Sequence, residues 1–291
     1  MRSISALLDD LNLYRRARKR LSPVRTRFRK AARVLKWPLR VISIFPYVWQ
    51  QELHEYREFV SARARYSHLY ADNDDPLITV IIPTYNRAEL LINRAIPSVL
   101  AQTYQNFEIL VIGDHCTDDT AERLAQFNDS RIRYYNLPER PLYPEDKTKR
   151  WMISGYHALN TGQDMARGLW FAKLDDDDMY MPHHLEKLLR FAQENDYEFV
   201  SSQSLMEIRP GEFVIKGKQP PLSMKDKTHS SYFGRFYLRV FRYEYHSWRA
   251  GRSLDKQILG KYRRSGVRAG FLEEPTVYYL LGPDSAVRTT A

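Results

Sequence analysis

The stretch Leu169-Trp170-Phe171-Ala172-Lys173-Leu174-Asp175-Asp176-Asp177-Asp178 decides how the chain is read. Apolar residues lead straight into four consecutive carboxylates. The apolar part has the length and composition of a short buried strand. The acids would then stand at the strand's C-terminal edge, where open α/β sheets bind ligands. Four adjacent acids repel one another unless a cation or solvent offsets their charge. Their oxygens suit the hard ions Mg²⁺ and Mn²⁺, and an ion held there would neutralise a diphosphate. Alone, the run favours a solvated acidic turn, with Met179-Tyr180-Met181-Pro182 opening the next helix. Its surroundings favour function.

Upstream, Leu77-Ile78-Thr79-Val80-Ile81-Ile82 is a β-branched, nearly continuous apolar run, as expected of a strand buried on both faces. Pro83-Thr84-Tyr85-Asn86-Arg87 follows as a loop, and Ala88 to Gln102 as a helix. Phe107 to Ile112 predicts a second strand, ending in Gly113-Asp114-His115-Cys116-Thr117-Asp118-Asp119-Thr120 and a further helix. Arg131 to Tyr135 predicts a third. The alternation predicts a doubly wound, mostly parallel α/β sheet with right-handed crossovers. No G-x-G-x-x-G or G-x-x-x-x-G-K-[ST] occurs, so neither a dinucleotide fingerprint nor a P-loop is supported. Downstream, Tyr197 to Ser202 reads as a strand, and Glu212 to Ile215 as its partner across Pro210-Gly211. Pro220 to Ser231 is expected to be a mobile loop over the site.

Charge is uneven along the 291 residues. Residues 1–70 carry 16 Lys+Arg against 5 Asp+Glu, and the rest carry 29 against 30. The basic character belongs to the N-terminal arm. There, Tyr14-Arg15-Arg16-Ala17-Arg18-Lys19-Arg20 precedes Trp37-Pro38-Leu39-Arg40-Val41-Ile42-Ser43-Ile44-Phe45-Pro46-Tyr47-Val48-Trp49. A membrane span needs about 20 apolar residues, and this segment is too short and broken by Arg40 and two prolines. Basic residues beside aromatics suit an anionic membrane face, reached through residues 1–50. A helical arm packed on the main domain is the second reading, and nucleic-acid binding is the third. Residues 51–70 have helical spacing, with Leu53, Tyr56, Phe59 and Val60 on one face. Pro76 ends any helix and marks a boundary, leaving residues 1–75 as the arm. Cys116 is the only cysteine, which excludes an intrachain disulfide and fits a reducing compartment. The expected location is the cytoplasm, at the cytoplasmic face of a membrane if the arm binds one.

Four blocks in this order resemble the family 2 glycosyltransferases of the GT-A fold. They are Val80 to Arg87, Glu108 to Thr120, Asn160-Thr161-Gly162-Gln163-Asp164-Met165-Ala166-Arg167-Gly168, and Leu174 to Asp178 with Pro182 and Leu185. The resemblance covers roughly residues 77–282. It implies a GT-A sheet in which residues 76–196 bind a nucleotide-sugar and residues 197–291 bind the acceptor. The implied enzyme moves a sugar, with inversion, from a nucleotide diphosphate donor to a hydroxyl acceptor. A UDP-sugar is the first choice of donor, with GDP- and dTDP-sugars behind it, and Mn²⁺ or Mg²⁺ is the implied metal.

By the same resemblance, Pro83, Thr84 and Tyr85 lie where the first loop holds the base, and Arg87 reaches the ribose or phosphates. Asp114 matches the acid that hydrogen-bonds the base. Asn160 belongs to the third block. Asp175 and Asp177 form the D-x-D pair, with Asp177 the foremost metal ligand and Asp176 on the ribose. Asp255 falls where relatives place the catalytic base, able to take the acceptor's proton. It equally suits a first-turn acid of a helix. Gly113 stands where the family often has an acid, Leu159 where it often has Arg or Lys, and Leu254 where it usually has Glu. Arg150, a residue type suited to bidentate phosphate contacts, would replace the missing cation. Tyr278 to Gly282 lacks the His that some relatives use as a third metal ligand. His183 and His184 read as solvated residues at a helix start, and His246 lines the acceptor site or packs nearby. Two other classes stand beside this one. One is a catalytically silent GT-A-like binding domain, and the other is a nucleic-acid-binding or nucleic-acid-modifying protein using the basic arm.

Overall fold

The structure, a computed structural model, describes residues 50–71, 73–223 and 228–281. The segment 1–49, on which the membrane and nucleic-acid expectations rest, lies outside the described residues. The chain divides into two compact units, Met1–Glu52 and Leu53–Ala291, and the description below concerns the second.

Its strands are β1 (Ile78–Thr84), β2 (Phe107–Gly113), β3 (Ile132–Asn136), β4 (Trp170–Lys173), β5 (Met179–Tyr180), β6 (Phe199–Arg209), β7 (Glu212–Lys216), β8 (Phe233–Arg235) and β9 (Ala269–Tyr279). Among the described residues they form one sheet, ordered β3-β2-β1-β4-β8-β6-β9-β5, with β7 paired on β6. The first four are mutually parallel, as the strand–helix alternation predicted. β8 runs antiparallel to both β4 and β6 and inserts between them. β1 and β2 are buried almost throughout, which accounts for their unbroken apolar sequence. β6 and β7 make the expected hairpin.

The helices are α1 (residues 50–66, of which 53–66 fall in this unit), α2 (residues 88–100), α3 (Thr120–Ala125), α4 (Lys147–Met152), α5 (Tyr156–Met165), α6 (His184–Glu194) and α7 (Leu254–Arg264). α2 widens to a π segment at Leu91–Ala95, a device often found near functional sites. α5 crosses β1 so closely that a Cβ on Gly162 would lie 2.5 Å from the Ile81 side chain. Glycine there lets helix and sheet touch.

α1 belongs to the compact unit rather than standing off it. Its buried face differs from the expected one: Tyr56 and Val60 are exposed, while Glu55 and Phe59 are buried. Phe59 packs on Phe241 at 5.1 Å. Arg63 grips both oxygens of the buried Glu198 at 2.6 Å, and Lys261 pairs with Glu55 at 2.7 Å. Hydrophobic spacing could not find this face, because ion pairs to distant residues supply much of it.

Candidate functional site

β4 ends at Lys173 and delivers the acids to the C-terminal edge of the sheet, beside the ends of β1 and β2. The four acids do not share one environment. The side chains of Asp175 and Asp177 keep 36% and 22% of their exposure, whereas Asp176 is nearly covered and Asp178 fully so. The Asp178 amide donates to the Asp175 carbonyl at 3.1 Å, and this turn splits the run into an open D-x-D pair and two inward carboxylates. Asp176 accepts from the Thr84 hydroxyl at 2.7 Å. Arg87 lies 3.2 Å from Asp176 and 3.1 Å from Asp177. Asp178 accepts from the Ser230 hydroxyl and, at 3.1 Å, from the Leu280 amide. Arg94, on the π segment of α2, donates to the Asp177 carbonyl at 3.3 Å.

Burial raises the protonation of Asp176, Asp177 and Asp178. Asp176 is pushed up to about 7, by desolvation more than Arg87 lowers it. Asp177 is raised by desolvation and then by the neighbouring Asp175 charge. Asp178 is raised well above the ordinary range, by desolvation first and then by Asp175 and Asp177. An added cation is the natural relief for such a cluster.

The second pole is Asp114, at the end of β2 and buried. One carboxylate oxygen accepts from the Tyr143 hydroxyl at 2.6 Å. The other has no hydrogen-bond partner among the described residues. Burial raises this carboxyl against the lowering effect of Tyr143. An unpartnered buried oxygen is costly in a folded protein, and it is ready to accept an N–H. The loops after β1 and β2 hold one another here. Asn86, with φ of 50°, accepts from the Thr117 amide at 2.8 Å. Tyr85 sits at the rim, with the Arg140 guanidinium over its ring at 3.6 Å. Pro83 is half-buried within β1. Gly113 has a physical reason: a Cβ there would lie 2.5 Å from Asn136 Oδ1. Asn136 uses that space to bond the Cys116 amide and carbonyl at 2.7 and 2.8 Å.

A third group comes from residues that follow β7 in the chain. Residues His229–Ser231 form a buried turn. Ser230 Oγ accepts from the Asp175 amide at 3.1 Å, and His229 Nδ1 lies 3.3 Å from the Asp175 carboxylate. The end of the expected loop is therefore fixed to the acid run, while residues 224–227 lie outside the described residues. His229 Nε2 is 3.1 Å from the Tyr243 hydroxyl, which also bonds the buried Lys173 ammonium. Desolvation lowers Lys173 to about 7. Asp255, in the first turn of α7, is raised by burial, and His229, Asp175 and Lys173 all act on it electrostatically.

The structure thus brings together Thr84, Arg87, Asp175, Asp176 and Asp177, with Asp114 and Asp255 on either side. It does not bring Asn160 or Arg150 to them. Asn160 spends both amide atoms on the Tyr243 backbone, at 2.9 and 3.0 Å. Arg150 is exposed and donates to the Pro144 and Glu145 carbonyls at 3.1 and 3.3 Å. Its replacement near the acids is Arg87, with Arg94 behind it. His184 is also corrected: it is fully buried, stacked on Tyr180 at 3.7 Å, and bonded to Thr276 at 2.7 Å. Burial lowers it to about 3. His246 is half-buried beside Tyr245. Lys173, Tyr143 and His229 were missed. A lysine inside an apolar strand was the one available signal.

The family model for glycosyl transferase family 2 matches residues 79–142 and 154–252. A UDP-Glc:alpha-D-GlcNAc-diphosphoundecaprenol beta-1,3-glucosyltransferase, WfgD, from Escherichia coli is 33% identical over 152 residues, which is 50% of this chain and 53% of that protein. A GalNAc(5)-diNAcBac-PP-undecaprenol beta-1,3-glucosyltransferase from Campylobacter jejuni is 31% identical over 56% of this chain and 50% of its own length. The chain therefore spans about half the length of these curated relatives. Among solved structures, S. aureus TarS in complex with UDP superposes with a TM-score of 0.54 at 17% identity, covering 71% of this chain and 61% of that one. A Pyrobaculum calidifontis mannosyltransferase with GDP-Man and Mn²⁺ superposes at 0.51 and 15% identity, over 87% of this chain and 71% of its own. These structural likenesses concern the fold, which is GT-A. Asp255 lies three residues beyond the family match.

Proposed function

Because the chain belongs to glycosyl transferase family 2, we propose that it transfers a sugar from a nucleotide diphosphate donor to a hydroxyl of its acceptor, with inversion. The observation that carries the reading is the alternation in the acid run. Asp175 and Asp177 face outward between the Asp114 pocket and Asp255, while Asp176 and Asp178 are tied down. Asp114 holds the base edge through its unpartnered oxygen. Arg87 stands where a diphosphate would compete for it.

The residues fit a hard divalent ion. Among the described residues no three His, Cys, Asp or Glu side chains converge as a cage. Mg²⁺-type sites commonly take one or two carboxylates and complete their shell with phosphates and water. Asp175 and Asp177 would hold such an ion, which would supply charge neutralisation to the departing diphosphate. Asp255 accepts the acceptor's hydroxyl proton as that oxygen attacks the anomeric carbon and the bond to the diphosphate breaks. His229 keeps Asp175 in place, and Lys173 offsets charge beneath it. The UDP-Glc donor of the E. coli relative supports a UDP-sugar, and the undecaprenol-linked acceptors of the E. coli and C. jejuni relatives support an acceptor glycan carried on a polyprenyl diphosphate. Among the described residues no helix is long and apolar enough to cross a membrane, so a lipid-borne acceptor would be met at a membrane face.

The test is calorimetric titration with UDP, GDP and dTDP, with and without Mn²⁺, on the wild type and Asp177→Ala. Metal-requiring UDP binding, lost in the variant, is the expected result. A folded protein that binds none of the three would defeat the reading.

A further inference from the structure

One surface beside the site has no role in the chemistry above. Residues 139–152 carry inward and outward side chains with opposite jobs. Inward, Tyr143 donates to Asp114 at 2.6 Å, Arg140 covers Tyr85 and Met152 packs against the core. Outward, Leu142 is 83% exposed and Trp151 63%. Around them Lys147, Lys149 and Arg150 are exposed, and Lys147 shares a helix face with Trp151, four residues on. The patch continues across the turn Tyr245–Ala250, which runs into the helix bearing Asp255. Lys149 lies over the Trp248 ring at 5.2 Å, and Arg249 lies over it at 5.5 Å. Arg249 and Arg252 are exposed. Tyr156 joins the two parts, 5.9 Å from Tyr143 and 5.8 Å from Tyr245. Glu139, Glu145 and Asp146 are the acids along residues 139–152, and Asp146 is engaged in capping α4 at the Lys149 amide. Cations are therefore in excess around two large exposed apolar side chains.

Single exposed apolar residues are ordinary. Leu and Trp within a ring of Lys and Arg are the composition of a segment that lies in a lipid interface. We propose that residues 139–152 and 245–252 form the face that rests on an anionic phospholipid bilayer, with Leu142 and Trp151 entering the interface and the cations meeting headgroups. None of these residues belongs to the basic segment 1–50. The face gives the membrane a direct hold on Tyr143 and on the approach to Asp255. The inference rests on the lipid-borne acceptor proposed above, and its test separates the two.

Cys116 is the only cysteine and is buried, so an environment-sensitive NBD label can be placed on Leu142→Cys in the full chain. The control carries the label on Glu212→Cys, exposed on β7. Phosphatidylglycerol vesicles should shift the emission at position 142 to the blue. Phosphatidylcholine vesicles should not, high salt should reverse the shift, and position 212 should stay unchanged. Sedimentation with the anionic vesicles without a shift at 142 would overturn the proposal, since another surface would then be binding. A shift that grows with protein concentration and needs no vesicles would also overturn it, marking a contact between copies. UDP titration of the same labelled protein reports the donor site separately. Normal UDP binding without a shift sinks the membrane face alone, and a shift without UDP binding sinks the donor reading alone.

Discussion

Thr84 donates its hydroxyl to Asp176 at 2.7 Å, locking the end of β1 to the acid run. Because this inward acid and Asp178 are both anchored, the four carboxylates should respond differently to removal. Asp177→Ala should fold with near wild-type stability and lose metal-supported nucleotide binding. Asp178→Ala should instead destabilise the protein by about 2–4 kcal/mol, because Ser230 and the Leu280 amide lose a buried acceptor. Urea melts and UDP titrations on both variants check this. Equal loss of stability in the two would refute the split.

Asp114 and Tyr143 make the next case. Tyr143→Phe removes the hydroxyl that holds one carboxylate oxygen and leaves the aromatic contacts in place. A hydrogen bond to a charged group contributes about 1.5–3 kcal/mol. Nucleotide affinity should fall by about tenfold or somewhat more. Asp114→Ala should abolish measurable binding while Asp175 and its neighbours keep their geometry. Unchanged UDP affinity in Tyr143→Phe would show that the bond does not orient Asp114 for the base.

The sheet was legible in its apolar runs, and the open acids only through the block to which they belong. β1 and β2 are continuous apolar runs, whereas a turn closed between Asp175 and Asp178 decides which acids stay open. Arg87 was legible as a phosphate partner only through its block, and the structure adds its pairing with Asp176 and Asp177. Arg150 and Asn160 misled because spacing along the chain says nothing about which way a side chain is already engaged. Their bonds, to the Pro144 and Glu145 carbonyls and to the Tyr243 backbone, depend on tertiary approach. His229 comes to Asp175 from 54 residues away, a distance no local pattern spans. The buried face of α1 was hidden for the same reason, since Glu55 and Arg63 find their partners 206 and 135 residues on.

His184 predicts a pH dependence. It is buried and neutral, with its protonation lowered to about 3 from an ordinary 6.5. The unfolded chain takes up a proton that the folded chain refuses. Its contribution to stability is therefore full above pH 6.5 and is lost as pH falls from 6.5 toward 3. The slope is about 1.4 kcal/mol per pH unit. His184→Phe keeps a ring against Tyr180 and should flatten this slope by about one proton, even if it lowers stability at pH 7 through the lost Thr276 bond. Urea melts of both proteins between pH 7 and 5 give the two slopes. Identical slopes would mean that another group carries the acid sensitivity.

Asp255 is the residue on which turnover should depend without donor binding depending on it. It sits in the first turn of α7, where Ser253 already caps the helix, so the helix does not need Asp255 as its cap. The charges that act on it are those of His229, Asp175 and Lys173, which are one of the open acids and the two groups that border it. Burial holds its carboxyl above the ordinary range, which suits a base that must take a proton from a hydroxyl and later release it. Asp255→Asn keeps the shape and removes the proton acceptor. Transfer should fall by about 10²–10⁴-fold, with UDP affinity within twofold of wild type, about 0.4 kcal/mol. His229→Gln should act differently. It loosens Asp175 and should raise the nucleotide concentration needed for half-maximal transfer more than it lowers the maximal rate. If Asp255→Asn instead weakens UDP binding as much as it slows transfer, the carboxylate is part of the donor pocket, and the proton must leave by another group.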